Sequence, residues 1–125
     1  MIELSVRKKY FDAIWIGQKT VECRLNSEKF KDFKPGMIIN FTVVDTNKIA
    51  VCTIEAINVY PDFKSMLIAE GIEKALPGVT DLAEGVKIYH AFPDYKKKVK
   101  KMGAIAIRFS LCSYAQIKKL SQEQE

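Results

Sequence analysis

The residue types best suited to chemistry cluster in one short segment, residues 17–24, which reads Gly-Gln-Lys-Thr-Val-Glu-Cys-Arg. Glu22 and Arg24 stand two positions apart, so on a strand they share one face, about 7 Å apart along the backbone. Lys19 has the opposite parity and joins them only if it lies in a turn after Gly17. A positive charge on each side would keep Glu22 ionised, and Arg24 could offer its planar guanidinium to a phosphate or a base edge.

Alternating residue types predict the strand that would position these charges. One face is apolar and the other polar: Val21, Cys23 and Leu25 against Thr20, Glu22, Arg24 and Asn26. We expect the polar face to point to solvent, so a row of exposed ion pairs of little energetic value is an alternative interpretation. A short helix ending at Gly17 is predicted before the strand, with an apolar core stripe of Tyr10, Phe11, Ile14 and Trp15.

The remaining elements are predicted from hydrophobic periodicity and from capping or breaking residues. Strands are expected at residues 4–6, 37–44, 48–59 and 104–111, which are rich in β-branched and aromatic side chains. Helices are expected to begin near Asp62, Asp81, Pro93 and Ser113, with a short helical turn within residues 72–78. Because the strands cluster instead of alternating strictly with helices, this order predicts an α+β fold.

Composition limits the classes of protein to which the chain can belong. Its 125 residues correspond to one domain, which can bury a core without a disulfide or a metal. The three cysteines form no Cys-x-x-Cys pair and His90 is the single histidine, so we predict reduced thiols and no zinc site. No apolar run approaches the about 20 residues that cross a bilayer, and the N-terminus does not resemble a secretory signal. We therefore expect a cytoplasmic protein without a membrane partner.

The net charge of +5 is concentrated in residues 96–101, which hold five lysines and no acid. This segment predicts either a surface that contacts phosphates or the solvated face of an amphipathic helix. The neighbouring Tyr89, Phe92 and Tyr95 are candidates for stacking on bases or for packing in the wall of a cleft. His90 could act as a general base, but the sequence places no nucleophile beside it, which favours a packed or solvated histidine.

The pattern Gly17-x-Lys19-x-x-Glu22-x-Arg24 resembles the GxKxxExR signature of the ASCH domain, a family of the PUA-like superfamily. The similarity continues through segments downstream: residues 61–67, 69–71, 89–92 and 103–109. It implies a small mixed PUA-like β-barrel of about five to six strands with peripheral helices. We predict that this domain covers residues 1–110 and that residues 111–125 form a C-terminal helical extension.

The resemblance also implies binding of RNA or of a nucleotide or nucleoside in a cleft lined by Lys19, Glu22 and Arg24. Downstream aromatic and basic residues are expected to complete the nucleic-acid-binding surface: Tyr89, Tyr95, Lys97, Lys100 and Lys101. The predicted site requires neither a cofactor nor a metal.

Some small ASCH proteins remove the acyl group from N4-acylated cytidines, so the resemblance implies an alternative function as an amidohydrolase or a ribonuclease. Lys19 then corresponds to the general base and Glu70 to the general acid, with Glu22 as the alternative acid. Glu22 stands where those enzymes have a nucleophilic Thr, and attack of a carboxylate on an amide would form an unstable anhydride. Thr20 lies on the same predicted face, one pleat away. A third alternative is a protein-interaction module whose cleft has no ligand.

Overall fold

The computed structural model of the protein describes residues 2–123. Within this range the chain forms, in order, β1 (Ile2–Ser5), α1 (Lys8–Trp15), β2 (Val21–Leu25), a 3-10 turn (Glu28–Phe30), β3 (Ile38–Thr42), β4 (Ile49–Tyr60), α2 (Phe63–Glu70), α3 (Ile72–Ala75), α4 (Leu82–His90), α5 (Tyr95–Met102), β5 (Ala104–Leu111) and α6 (Tyr114–Glu123). The predicted elements are present, with boundaries that differ by a few residues. None of the helices in residues 2–123 is long and apolar enough to span a membrane.

The strands form one sheet in the order β1-β3-β4-β5-β2. β1 pairs with β3 in parallel, and every other neighbouring pair is antiparallel. The sheet curls into a half-barrel, so the predicted α+β architecture is confirmed. Because β1 and β2 are its two edges, the half-barrel has a gap between them.

Local sequence signals explain where several helices begin. The carboxylate of Asp62 accepts the Ser65 N–H at 2.7 Å, and that of Asp81 accepts the Glu84 N–H at 3.1 Å, as N-cap residues do. At α6, Ser113 and Gln116 exchange side-chain-to-backbone hydrogen bonds, so they form a capping box at the predicted start of the helix. The division of the chain at residue 110 into a domain and an extension stays a prediction.

Both faces of the sheet are covered, and each carries its own apolar cluster. One cluster lies between the sheet and α1 and includes Leu4, Phe11, Ile14, Phe41 and Ile107. The other lies between the sheet and helices α2–α5 and includes Val21, Cys23, Phe63, Leu67 and Ala106. We call these sides the α1 face and the α2–α5 face.

The expectation that the charged face of β2 points to solvent is wrong. Glu22 lies opposite Ile107 and Arg24 opposite Ile105 on the neighbouring β5, and residues paired in this way share a face. Both charges therefore project from the α1 face of the sheet, and only 7% of Glu22 is exposed. The alternation located the two faces correctly, but the curl of the sheet turns the polar one inward.

The expected core position of Trp15 is also wrong, because 57% of this residue is exposed. α1 buries Phe11, Ala13 and Ile14, and it ends at Trp15. Successive residues of a helix are rotated by about 100°, so a short helix that points Ile14 at the sheet places Trp15 at the margin of the contact.

Candidate functional site

Lys19 lies between the end of α1 and the start of β2, in the turn that the motif required. Gly17 adopts a φ of +82°, a left-handed conformation that glycine tolerates best and that ends the helix. The backbone N–H of Lys19 then donates to Ala13 O at 3.1 Å, which fixes the turn against α1. Lys19 lies before the first residue of β2, so its side chain does not follow the alternation of the strand. It can therefore point toward Glu22 although the two residues are an odd number of positions apart.

The ammonium group of Lys19 is enclosed, with 2% of the residue exposed. Its Nζ donates to Val21 O at 2.7 Å and to Ala75 O at 2.6 Å, and it lies 3.1 Å from Glu22 Oε1. Three acceptors match the three hydrogens of an ammonium group. Lys19 therefore ties β2 to the end of α3 and holds Glu22, and it has no remaining N–H to offer a ligand.

Glu22 is the centre of a buried chain of charges. Its Oε1 faces Lys19, and its Oε2 accepts from Nε and Nη2 of Arg24 at 3.0 and 2.8 Å. Burial by itself would raise the pKa of Glu22, but the charges and hydrogen bonds of Lys19 and Arg24 outweigh it and hold the pKa below its ordinary value. The carboxylate is consequently ionised at neutral pH.

Arg24 spans the gap between the two edges of the sheet. Besides the two bonds to Glu22, its Nη2 donates to Ser5 O at 2.8 Å, at the end of β1. Its other terminal nitrogen, Nη1, makes no hydrogen bond within residues 2–123. Lys19 and Glu22 thus orient a guanidinium that keeps two N–H donors for a ligand.

A cavity of about 490 Å³ opens beside Arg24. It is bordered by the ends of β1 and β3, by β2 and by helices α1, α4 and α5, and its walls are mainly apolar. Four of the lining residues are aromatic: Tyr10, Tyr89, Phe92 and Tyr95. The volume lies within the range of small-molecule sites, and a few convergent polar groups in apolar walls are typical of them.

The aromatic wall is built around Phe63, which is fully buried. Its ring is parallel to that of Tyr89, with centroids 4.9 Å apart, and to that of Tyr95, at 5.7 Å. Tyr89 is 4% exposed and forms solid wall, whereas Tyr95 is half-buried and Phe92 is 41% exposed at the rim. Only Tyr95 and Phe92 of this set have ring surface available for stacking.

The predicted basic residues lie outside the cavity. Lys97, Lys100 and Lys101 are exposed on α5, the helix whose first residue, Tyr95, lines the cavity. Val99 is the residue by which α5 packs on the molecule. The lysines therefore form a positively charged surface that starts at the cavity and leads away from it.

Glu70, the expected general acid, belongs to a separate cluster. It accepts hydrogen bonds from Arg108 Nε at 2.5 Å, from Asn58 Nδ2 at 3.1 Å and from the hydroxyl of Tyr60. Arg108 lies opposite Val21, so this cluster is on the α2–α5 face, whereas Glu22 projects from the α1 face. Glu70 does not line the cavity, and the structure does not bring it together with Lys19 and Glu22.

His90 is half-buried and Cys23 is buried in the structure. His90 ends α4 and packs edge-on against Phe63, with ring centroids 6.0 Å apart, outside the cavity lining. Cys23 lines the cavity, but burial raises the pKa of its thiol to about 12, so it is neutral. Residues 2–123 contain no group of three or more His, Cys, Asp or Glu side chains that could hold a metal ion.

Several groups that build the site have no signal in the sequence. Arg24 donates to Ser5 O and Lys19 donates to Ala75 O, and in both cases the acceptor is distant in the chain. Phe63, which supports the aromatic wall, is also distant from the motif. Two of these contacts use backbone carbonyl groups, which carry no signature in the residue type. Helical spacing predicts a core position for Tyr10, whereas in the structure Tyr10 lines the cavity, with its ring centroid 5.4 Å from Lys19 Nζ.

The chain and its fold have counterparts in known proteins. A family model described as the ASCH domain matches residues 4–113. The crystal structure of hypothetical protein PH0355 has 40% sequence identity and a TM-score of 0.79. The match covers 88% of this chain and 97% of PH0355. The solution NMR structure of PF0455 from Pyrococcus furiosus has 34% sequence identity and a TM-score of 0.72, and the match covers 90% of this chain and 98% of PF0455. The crystal structure of ASCH from Zymomonas mobilis is similar in fold alone. Its sequence identity is 17% and its TM-score 0.59, and the match covers 96% of this chain and 78% of that protein. No curated protein matches the chain.

Proposed function

Because the chain belongs to the ASCH domain family, we propose that it binds RNA or a nucleotide in the cavity beside Arg24. The observation that carries this proposal is the buried series Lys19–Glu22–Arg24, which presents two unused guanidinium N–H groups to an aromatic-walled cavity. A guanidinium of this kind suits a phosphate or the acceptor edge of a base.

The three motif residues have different roles in this proposal. Arg24 contacts the ligand, since it is the only one of the three with donors left over within the described residues. Glu22 positions Arg24, and Lys19 positions Glu22. Lys19 was expected to line the cleft, but it is not a ligand contact in this proposal, because its hydrogens already have three acceptors.

The aromatic rim and the lysine surface extend the binding site. Tyr95 and Phe92 stack on a base that enters the cavity, and Tyr89 supports the wall behind them. Lys97, Lys100 and Lys101 contact the phosphates of a longer strand outside the cavity. Continuity along α5 supports this path, because its first residue borders the cavity and its lysines follow.

The direct test compares two arginines in binding to a labelled single-stranded RNA by fluorescence anisotropy. Arg24→Gln removes the proposed contact, and a well-placed arginine contact is worth about 1–3 kcal/mol, so affinity should fall about 5- to 150-fold. Arg108→Gln is the matched control, since Arg108 also pairs with a buried glutamate but lies away from the cavity. Equal affinities for the wild type and Arg24→Gln would contradict the proposal.

The salt dependence of the same binding reaction tests the lysine surface. On single strands the slope of log affinity against log salt is about −0.7 per phosphate contact. Lys100→Gln with Lys101→Gln should therefore make the slope shallower by about 1.4. Lys118→Gln with Lys119→Gln removes the same charge from exposed positions on α6 and serves as the control.

The geometry favours binding over the alternative hydrolase function. A general base needs a free lone pair, but the hydrogens of Lys19 are directed to three acceptors. The lowered pKa of Glu22 opposes a role as general acid, and Glu70 is not among the residues that line the cavity. We expect N4-acetylcytidine to show no Lys19-dependent turnover. Hydrolysis that is lost in Lys19→Ala would favour the enzyme instead.

A further inference from the structure

A second cavity, of about 450 Å³, lies on the flank of α1 away from Arg24. It is lined by Phe11, Asp12, Trp15, Ile16, Lys48 and Ile49. Three of its apolar residues are unusually open to solvent: Trp15 is 57% exposed, Ile16 67% and Ile49 49%. An exposed apolar group of this kind, rimmed by charged side chains, is characteristic of a contact surface.

The ring of Trp15 is held in a defined plane. It stacks on Phe11 with centroids 6.2 Å apart and an angle of 13° between the rings. Phe11 is only 6% exposed and is part of the core on the α1 face, so the indole rests on a buried ring. The other face of the indole is available for stacking, and we call it the Trp15 platform.

Lys48 brings a positive charge to this cavity. Lys48 Nζ lies 6.0 Å from the centroid of Phe11, and Lys48 forms no ion pair within residues 2–123. Asp12 is the acidic lining residue, and its carboxylate is paired with Lys8 at 2.7 Å. A ligand that combines a flat apolar ring with a negative charge complements both features.

We propose that the Trp15 platform binds a second base of the same single-stranded RNA, with Lys48 contacting a phosphate of that strand; this inference rests on the proposed function. Every base has a π-face that can stack on an indole. The two cavities share walls, since α1 contributes Tyr10 to the first and Trp15 to the second. The segment between β3 and β4 contributes Val44 and Lys48 in the same way. A helix is about 10–12 Å wide, so a strand a few nucleotides long can cross α1 and reach both.

A partner protein with an apolar surface fits these observations less well. It would cover Trp15 and Ile16, but it would also desolvate Lys48 without supplying an opposite charge. Nucleic acid supplies a phosphate with every base, so it satisfies the lysine and the indole together.

The test uses the intrinsic fluorescence of the protein, because Trp15 is its single tryptophan. The protein is titrated with uridine monophosphate and with a uridine oligoribonucleotide of about eight units, a length suited to single-strand binding sites. We expect the oligomer to quench Trp15 emission and the mononucleotide to bind without quenching it. Trp15→Ala should weaken binding of a labelled oligomer about 5- to 100-fold and leave mononucleotide binding unchanged.

Two variants control for folding and for the loss of an aromatic side chain. Trp15→Leu keeps an apolar side chain but removes the π-face, and it should weaken oligomer binding as Trp15→Ala does. Tyr114→Ala removes an aromatic residue that is 80% exposed on α6, and it should bind as the wild type does.

The possible failures are distinguishable. Oligomer binding that depends on Arg24 but not on Trp15, with unchanged emission, would overturn this inference and leave the proposed function intact. Absence of any RNA or nucleotide binding would overturn both. Self-association that Trp15→Ala abolishes, measured by sedimentation, would assign the platform to a second copy of the chain and overturn the RNA inference.

Discussion

Replacement of Lys19 by Met tests whether burial or distance controls the energy of the central ion pair. The side chains of Lys19 and Glu22 are 2% and 9% exposed, and their charged atoms are 3.1 Å apart. Lys19→Met keeps a chain of similar shape but leaves Glu22 Oε1, Val21 O and Ala75 O without the ammonium that they share. Removing one partner of a buried pair typically destabilises a protein by about 3–5 kcal/mol.

Lys8→Met is the matched control for this change. Lys8 and Asp12 approach more closely, at 2.7 Å, but their side chains are 67% and 51% exposed. Water screens such a pair, so its loss should change stability by about 0.2–1 kcal/mol. The shorter contact is thus expected to be several times weaker than the longer one.

Urea unfolding followed by circular dichroism measures both effects as differences in the free energy of unfolding. A domain is typically stable by about 5–15 kcal/mol, so Lys19→Met should remain measurable but lose a large fraction of that stability. Lys19→Met combined with Glu22→Gln should be less destabilised than the sum of the single changes, by about 0.5–3 kcal/mol. Equal losses for Lys19→Met and Lys8→Met would refute the reasoning that burial determines the energy.

Two further predictions concern the acid response and the backbone. Burial would raise the pKa of Glu70, but hydrogen bonds from Tyr60, Arg108 and Asn58 lower it below its ordinary value of 4.5. The unfolded chain therefore binds more protons in acid, so stability is lost as pH falls below about 4.5; Glu70→Gln should flatten this loss in unfolding experiments from about pH 7 to about pH 3. In Gly103→Ala the new Cβ would lie 2.7 Å from Tyr60 O, so the melting temperature should fall further than in the same substitution at Gly17, which has a similar positive φ but open space. Equal decreases in melting temperature for Gly103→Ala and Gly17→Ala would show that the close approach to Tyr60 O has no effect on stability.

The secondary structure of β2 shows how far residue patterns can be used. Alternation of apolar and polar residues predicted a strand with Glu22 and Arg24 on one face, because side chains on a strand alternate with a period of two. The same pattern predicted the wrong environment for that face. Exposure depends on what covers the strand, and here the curl of the sheet brings Ser5 of β1 to within 2.8 Å of Arg24.

The proximity of the motif side chains follows from the sequence, whereas their hydrogen-bond partners do not. The Lys19, Glu22 and Arg24 side chains do meet, because they lie within six residues of one another and a turn precedes the strand. The family resemblance groups Glu70 with them, but in the structure Glu70 pairs with Arg108 and does not line the cavity. Which face of a sheet a distant helix covers is a property of the topology, and no local pattern contains it.

The sequence by itself determined the elements, the α+β class, the family and the identity of the charged motif. These are consequences of local periodicity, capping and residue type, which act over a few positions. Only the tertiary structure decided that the motif is buried, that Lys19 is saturated by Glu22, Val21 O and Ala75 O, and that Nη1 of Arg24 has no acceptor within residues 2–123. The reason is that burial and hydrogen-bond saturation depend on groups brought together by the curl of the sheet, and most of those groups are distant in the chain.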